Sequence, residues 1–142
     1  MSIPWDESVL LQMAPKARAE TLAARSWLLG HIGLSQPFID STEETHPAIW
    51  FDRVMSQVED QINTGNHAAI ELGCRYIIED PKTPFGRIHK RKVIQRLRKQ
   101  FQHIPKKHYG AIRQAAGRIE AMNYKSQEYK DLIRLVNAID NS

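Results

Sequence analysis

Apolar residues recur at helical spacing along most of the chain. The clearest case is the series Trp50, Val54, Val58 and Ile62. Intervals of three or four residues place side chains on one face of an α-helix, which packs against a core. No segment alternates between apolar and polar with a period of two. We therefore expect helices throughout, apart from a short extended piece at residues 37–39.

Prolines, glycines and capping residues indicate where these helices begin and end. Pro47 and Pro84 suit the first position of a helix, and Gly65 suits a helix end. Asn66 then provides a good cap for the next helix. The connections between the predicted helices are short, which favours antiparallel neighbours. The exception is the stretch 33–46, which we expect to form an irregular loop.

The pattern predicts an all-α fold of six or seven helices in antiparallel hairpins. Two proline-initiated helices begin 37 residues apart, at Pro47 and Pro84, and this period is near that of helical-hairpin repeats. The two segments share little sequence, so an irregular bundle is supported at least as well as a short HEAT-like helical repeat. The 142 residues suffice for one core, and we expect a single helical domain over 1–142.

Two smaller features predict tight packing within that core. Gly73 lies inside a predicted helix, where glycine costs about 1 kcal/mol relative to alanine. We expect that another helix approaches closely there. The three tryptophans are expected in the core or at its edge.

Composition indicates the compartment in which we expect to find the protein. No stretch approaches the roughly 18 consecutive apolar residues of a membrane-spanning helix, and the first residues carry acids instead of the bases of a secretory signal. Cys74 is the single cysteine, so no intrachain disulfide can form and a reducing environment fits best. We expect a cytoplasmic protein, without a membrane partner, in which Cys74 is buried.

Charge is distributed very unevenly between the two parts of the chain. Residues 1–80, the acidic half, carry five bases and twelve acids, a balance of −7. Residues 81–142, the basic half, carry fifteen bases and four acids, a balance of +11. Between Lys82 and Arg118 there are twelve bases and no acid. Asymmetry of this kind is a signal about partners.

The segment from Arg87 to Gln102, in the helix predicted to begin at Pro84, concentrates this charge. At 100° per residue, Ile94 and Leu97 face the core while Lys92 and Lys99 lie on the opposite side. Such a face attracts polyanions, and nucleic-acid phosphates are the first candidate. The predicted polyanion-binding residues are Arg87, Lys90, Arg91, Lys92, Arg96, Arg98, Lys99, Lys106, Lys107 and Arg113.

Other uses of the same charge remain open. The protein is alternatively an interaction adaptor that binds an acidic protein surface. It is also a candidate homodimer in which the acidic half of one copy meets the basic half of another. A third interpretation is a solvated face that is neutralised within one chain.

Motifs for catalysis and cofactor binding are absent from the sequence. A Glu-x-x-His occurs once, at Glu43–His46, whereas a di-iron bundle needs two copies. A lone cysteine cannot build a thiolate zinc site, and neither a nucleophile elbow nor a glycine-rich phosphate loop is present. We expect a non-enzymatic binding module without a metal or cofactor.

Overall fold

The computed structural model describes residues 3–141, and every regular element within that range is helical. Two short 3₁₀ turns, Phe101–His103 and Lys106–His108, lie between the sixth and seventh α-helices. The all-α prediction is confirmed, with eight α-helices in place of the predicted six or seven. They are α1 Ser8–Gln12, α2 Pro15–Gly30, α3 Ile32–Asp40, α4 Pro47–Asn63, α5 His67–Glu79, α6 Ile88–Lys99, α7 Tyr109–Asn123 and α8 Gln127–Asp140.

The additional helix is α3, so the predicted loop at 33–46 and the extended piece at 37–39 are both wrong. Pro37 lies inside α3, where a proline costs about 3 kcal/mol. The next two side chains, Phe38 and Ile39, are buried in the core. Full burial of such side chains contributes about 1.5–3 kcal/mol each, which offsets the cost of the proline. Within the stretch 33–46, irregular backbone is confined to residues 41–46, between α3 and α4.

Helices α4, α5, α6, α7 and α8 pack around the main core. Consecutive helices α4 and α5, and likewise α7 and α8, form hairpins across short turns. Helix α6 packs against α4, α5 and α8. Gln100 after α6 donates to the carbonyl oxygen of Asn63 at the end of α4, at 2.9 Å. Arg87 before α6 contacts Glu128 at the start of α8. Helices α4, α6 and α8 therefore run in the same direction.

The predicted close approach at Gly73 is confirmed. A Cβ atom at this position would lie 3.0 Å from Cδ1 of Ile62 on α4 and 3.2 Å from Cγ1 of Val93 on α6. Glycine allows three helices to meet at this point. The contact fixes the buried side of α6, and so determines which of its residues reach the surface.

The predicted positions of the tryptophans and the cysteine are also confirmed. Trp50 is fully buried, and Trp5 and Trp27 pack partly buried against the core. Trp5 and Trp50 meet edge to face with ring centroids 5.6 Å apart. Cys74 is buried in α5, and this burial raises the pKa of its thiol to about 12. At neutral pH the thiol is therefore protonated and unreactive.

Across residues 3–141, no helix combines the length and apolar character needed to cross a membrane.

Candidate polyanion-binding site

Helix α6 carries the centre of the basic sequence block. Its apolar residues Val93, Ile94 and Leu97 are fully buried. The helical spacing predicts this burial for Ile94 and Leu97. Arginine and lysine are good helix formers, and the last turn of α6 contains Arg96, Arg98 and Lys99. Positive charge at a helix C-terminus interacts favourably with the helix dipole. The same residues therefore stabilise the helix and charge its surface.

Two bases at the start of α6, Arg87 and Lys90, are neutralised within the chain. Arg87 lies with Nη1 2.9 Å from Asp80 and Nη2 2.5 Å from Glu128. Lys90 donates to Oδ1 of Asp80 at 2.6 Å and to the carbonyl oxygen of Tyr76 at 2.7 Å. Only 3% of Lys90 is exposed. Lys90 therefore lies inside the molecule and not on the predicted basic surface.

Burial and charge act in opposite directions on the Lys90–Asp80 pair. Burial lowers the pKa of Lys90 to about 8, although the Asp80 carboxylate opposes this shift. Burial alone would raise the pKa of Asp80, but its hydrogen bonds and charge interactions with Lys90 and Arg87 together outweigh burial and lower it. Asp80 ends α5 in the left-handed conformation, with φ of 46°. This turn places its carboxylate beside the first turn of α6.

Two more of the predicted residues also have carboxylate partners. Lys107 lies 3.7 Å from Oε1 of Glu71, which also contacts His108 Nε2 through its other oxygen at 2.7 Å. Arg113 is paired with Asp140 near the end of α8. Because Glu71 belongs to the acidic half, the contacts of Lys107 and His108 join the two halves of one chain.

The remaining six predicted residues have no carboxylate at ion-pair distance among the residues that the structure describes. Five of them lie on α6 and are named the α6 basic stripe: Arg91, Lys92, Arg96, Arg98 and Lys99. The sixth, Lys106, is exposed on the second 3₁₀ turn. The stripe is therefore a run of cations whose charge is not offset within the described part of the chain.

Arg96 differs from the other members of the stripe. Its Nη1 donates to the carbonyl oxygen of Lys92 at 3.3 Å, and its Nε is buried without a hydrogen-bond partner. Lys92 and Arg96 are half-buried, whereas Arg91, Arg98 and Lys99 are exposed. Changing Arg96 would consequently disturb packing as well as charge, so it is unsuitable for a test of charge alone.

A groove of about 610 Å³ lies between α6 and α8, next to the stripe. Asp131, one of its lining residues, accepts a hydrogen bond from Nε2 of Gln95 at 3.0 Å and lies 3.7 Å from Nη1 of Arg134. The carboxylate is thus compensated by its neighbours. The lining residues are Gln95, Arg98, Lys99, Phe101, Asp131, Arg134 and Ala138.

Arg134 and Phe101 are parts of this surface that the sequence analysis missed. Arg134 lies beyond the acid-free block, and its contribution depends on the packing of α8 beside α6. Phe101 follows the end of α6 and lines the groove. The only sequence signal for Arg134 was its place on the polar side of an amphipathic helix.

A buried polar cluster holds α6 against α4. His89 is 2% exposed, with Nδ1 2.7 Å from Oε1 of Glu59 and Nε2 2.8 Å from Oδ1 of Asp52. Both ring nitrogens thus face carboxylate oxygens of α4. The cluster therefore fixes the orientation of α6 relative to α4. In the part of the chain described, no group of three potential ligands is arranged to hold a metal.

No protein-family model, curated protein or solved structure matches the chain. The function is therefore inferred from the surface itself.

Proposed function

We propose that the protein is a non-enzymatic binding module that docks on nucleic acid through the α6 basic stripe. The observation that carries the proposal is the set of five cations within residues 91–99 that lack a carboxylate partner in the described structure. Like charges gathered on one face raise the local electrostatic potential and attract a polyanion.

The dimensions of the stripe suit a phosphate backbone. From Arg91 to Lys99 an α-helix rises about 12 Å, at about 1.5 Å per residue. Phosphates on one strand of B-form DNA follow at about 3.4 Å along the axis, so the stripe spans about three or four of them. Lysine and arginine that neutralise phosphates release condensed counterions, which supplies a favourable and salt-dependent free energy.

The ion pairs within the chain bear on two alternatives, a homodimer and an acidic protein partner. Arg87, Lys90 and Lys107 already use carboxylates of the acidic half, which reduces the charge left for pairing between the halves of two copies. The stripe itself has none of these partners. An acidic protein surface would contact the same stripe. An acidic protein partner therefore stays a prediction, and binding experiments can distinguish it from nucleic acid.

The direct test is binding to short duplex DNA, single-stranded DNA and RNA at about 50 mM salt, where phosphate contacts are strongest. The test variant changes Arg91, Lys92 and Lys99 together to glutamine. A matched control removes the same charge elsewhere, at Lys16 and Lys125 on exposed positions and at Arg53 on α4.

We expect the stripe variant to bind at least about tenfold more weakly and the control to bind nearly as well as the native protein. Undetectable affinity of the native protein for all three nucleic acids would overturn the proposal. An equal loss in the two variants would show that only net charge matters, and it would remove the stripe as the site.

A further inference from the structure

The groove between α6 and α8 combines charge with an aromatic surface. Arg98 and Lys99 border it from α6, and Arg134, with 58% of its side chain exposed, borders it from α8. Phe101 lines the same groove and packs partly buried against the core. The ring is therefore held in place on one side while the groove stays open to solvent.

An aromatic ring flanked by cations is typical of sites that bind single-stranded nucleic acid. Every base has a π-face that can stack on an aromatic side chain, and the cations hold the adjoining backbone. Bases within a duplex are stacked on one another, and only an unpaired base can enter such a site. The volume of about 610 Å³ lies in the range of pockets that enclose small organic molecules, so one base fits.

We propose that this groove binds an unpaired base of a single-stranded nucleic acid, stacked on Phe101, with the neighbouring phosphates held by Arg98, Lys99 and Arg134. The inference rests on the proposed function, because it assigns a class of nucleic acid to the same surface. It adds that the protein binds a single strand that carries bases more tightly than a strand that lacks them.

The polar groups in the groove indicate little selectivity among bases. The amide of Gln95 already donates to Asp131, and Asp131 also accepts from Nε2 of Gln127 at 3.0 Å. These groups satisfy one another and are not directed at a ligand. Recognition through stacking is tolerant of sequence, so we expect differences among bases to follow their stacking strength.

Fluorescence anisotropy with three labelled probes tests this inference. The probes are a single strand of about 15 thymidines, an abasic strand of the same length and a duplex of about 15 base pairs. The proteins are the native chain, Phe101→Leu, Phe101→Tyr and the control Phe85→Leu. Phe85 is a 50% exposed aromatic residue outside the groove. Circular dichroism establishes that each variant is folded.

We expect the native protein to bind the strand of thymidines at least about fivefold more tightly than the abasic strand. This factor corresponds to the free energy of one stacking contact between a base and an aromatic side chain. Phe101→Leu should abolish this preference and leave duplex and abasic binding unchanged. Phe101→Tyr should retain it, which provides a folded comparison if the leucine variant is unstable. Phe85→Leu should behave as the native protein.

The failures of the two proposals are distinguishable. Equal affinity of the native protein for thymidines and the abasic strand would overturn the stacking site while the proposed function stands. A preference that persists in Phe101→Leu would also overturn it. Absence of binding to all three probes, and to RNA under the same conditions, would overturn the proposed function itself.

Discussion

At the scale of single residues, Lys90 shows that a count of charges along the sequence does not reveal which of them are buried. It precedes Val93 by three positions and Leu97 by seven, so helical spacing already puts it on the buried side of α6. A lysine there requires a partner, because an isolated buried ammonium is costly. The partner is Asp80, ten positions earlier, at the end of the preceding helix. Its left-handed backbone, which directs the carboxylate towards Lys90, could not be read from the sequence.

Changing Asp80 to asparagine should therefore destabilise the protein in a pH-dependent manner. Asparagine tolerates the left-handed conformation, so the change mainly removes charge. Near neutral pH and below, Lys90 is protonated, and in the variant it has lost its counterion. We expect the free energy of unfolding to fall by about 2–3 kcal/mol. The folded pKa of Lys90 is about 8, below the ordinary 10.5. Above that folded pKa the native state holds a neutral amine, so the effect of the substitution should shrink.

Urea denaturation at about pH 6 and about pH 9 measures this difference. The matched control is Asp140→Asn, which removes a carboxylate from the exposed pair with Arg113. We expect the control to change stability by less than about 1 kcal/mol at both pH values. A loss in Asp80→Asn that is equal at both pH values would contradict the assigned role of Lys90.

At the scale of helices, the sequence was most informative where hydrophobic periodicity is strong. The apolar positions Ile94 and Leu97 defined the core side of α6 correctly, and Pro47 marked the start of α4. It was least informative at Pro84, which lies in the turn before α6 and does not begin that helix, and at α3, where the local sequence favoured a loop. Tertiary burial of Phe38 overrides that local preference, and a single sequence gives no direct view of tertiary contacts.

Two glycine-to-alanine substitutions should have opposite effects on stability. Gly117 lies within α7, and no neighbouring atom lies within 4 Å of the position that a Cβ would take there. Gly117→Ala should therefore stabilise the protein by about 0.5–1 kcal/mol. Gly73→Ala gains the same helix propensity but forces a methyl group against Ile62 and Val93. Since Val93 is β-branched and stiff, overpacking of about 1–3 kcal/mol should outweigh that gain.

Thermal and chemical denaturation of the two alanine variants provide the comparison. We expect Gly117→Ala to be more stable than the native protein and Gly73→Ala to be less stable. Two equal increases in stability would show that the three helices do not meet closely at Gly73.

At the scale of the whole molecule, the sequence revealed the charge imbalance but not its distribution. The net charge is only +4, and several bases are paired with acids far along the chain, such as Arg87 with Glu128 at 41 positions. Such pairings depend on which helices are neighbours. Folding removes Arg87 and Lys90 from the available charge and leaves the α6 basic stripe. The groove arises because α8 packs beside α6, an arrangement with no local sequence signature.

The salt dependence of nucleic-acid binding tests the proposed role of the stripe most directly. If the stripe neutralises three or four phosphates, the logarithm of the binding constant should fall with the logarithm of salt concentration with a slope of about −2.1 to −3.6. Changing Lys92 and Lys99 to glutamine should reduce the magnitude of the slope by about 1.4–1.8, whereas changing Lys16 and Lys125 should leave it unaltered. Binding that is independent of salt, or a slope unaffected by the loss of Lys92 and Lys99, would contradict the assignment of the stripe as the docking surface.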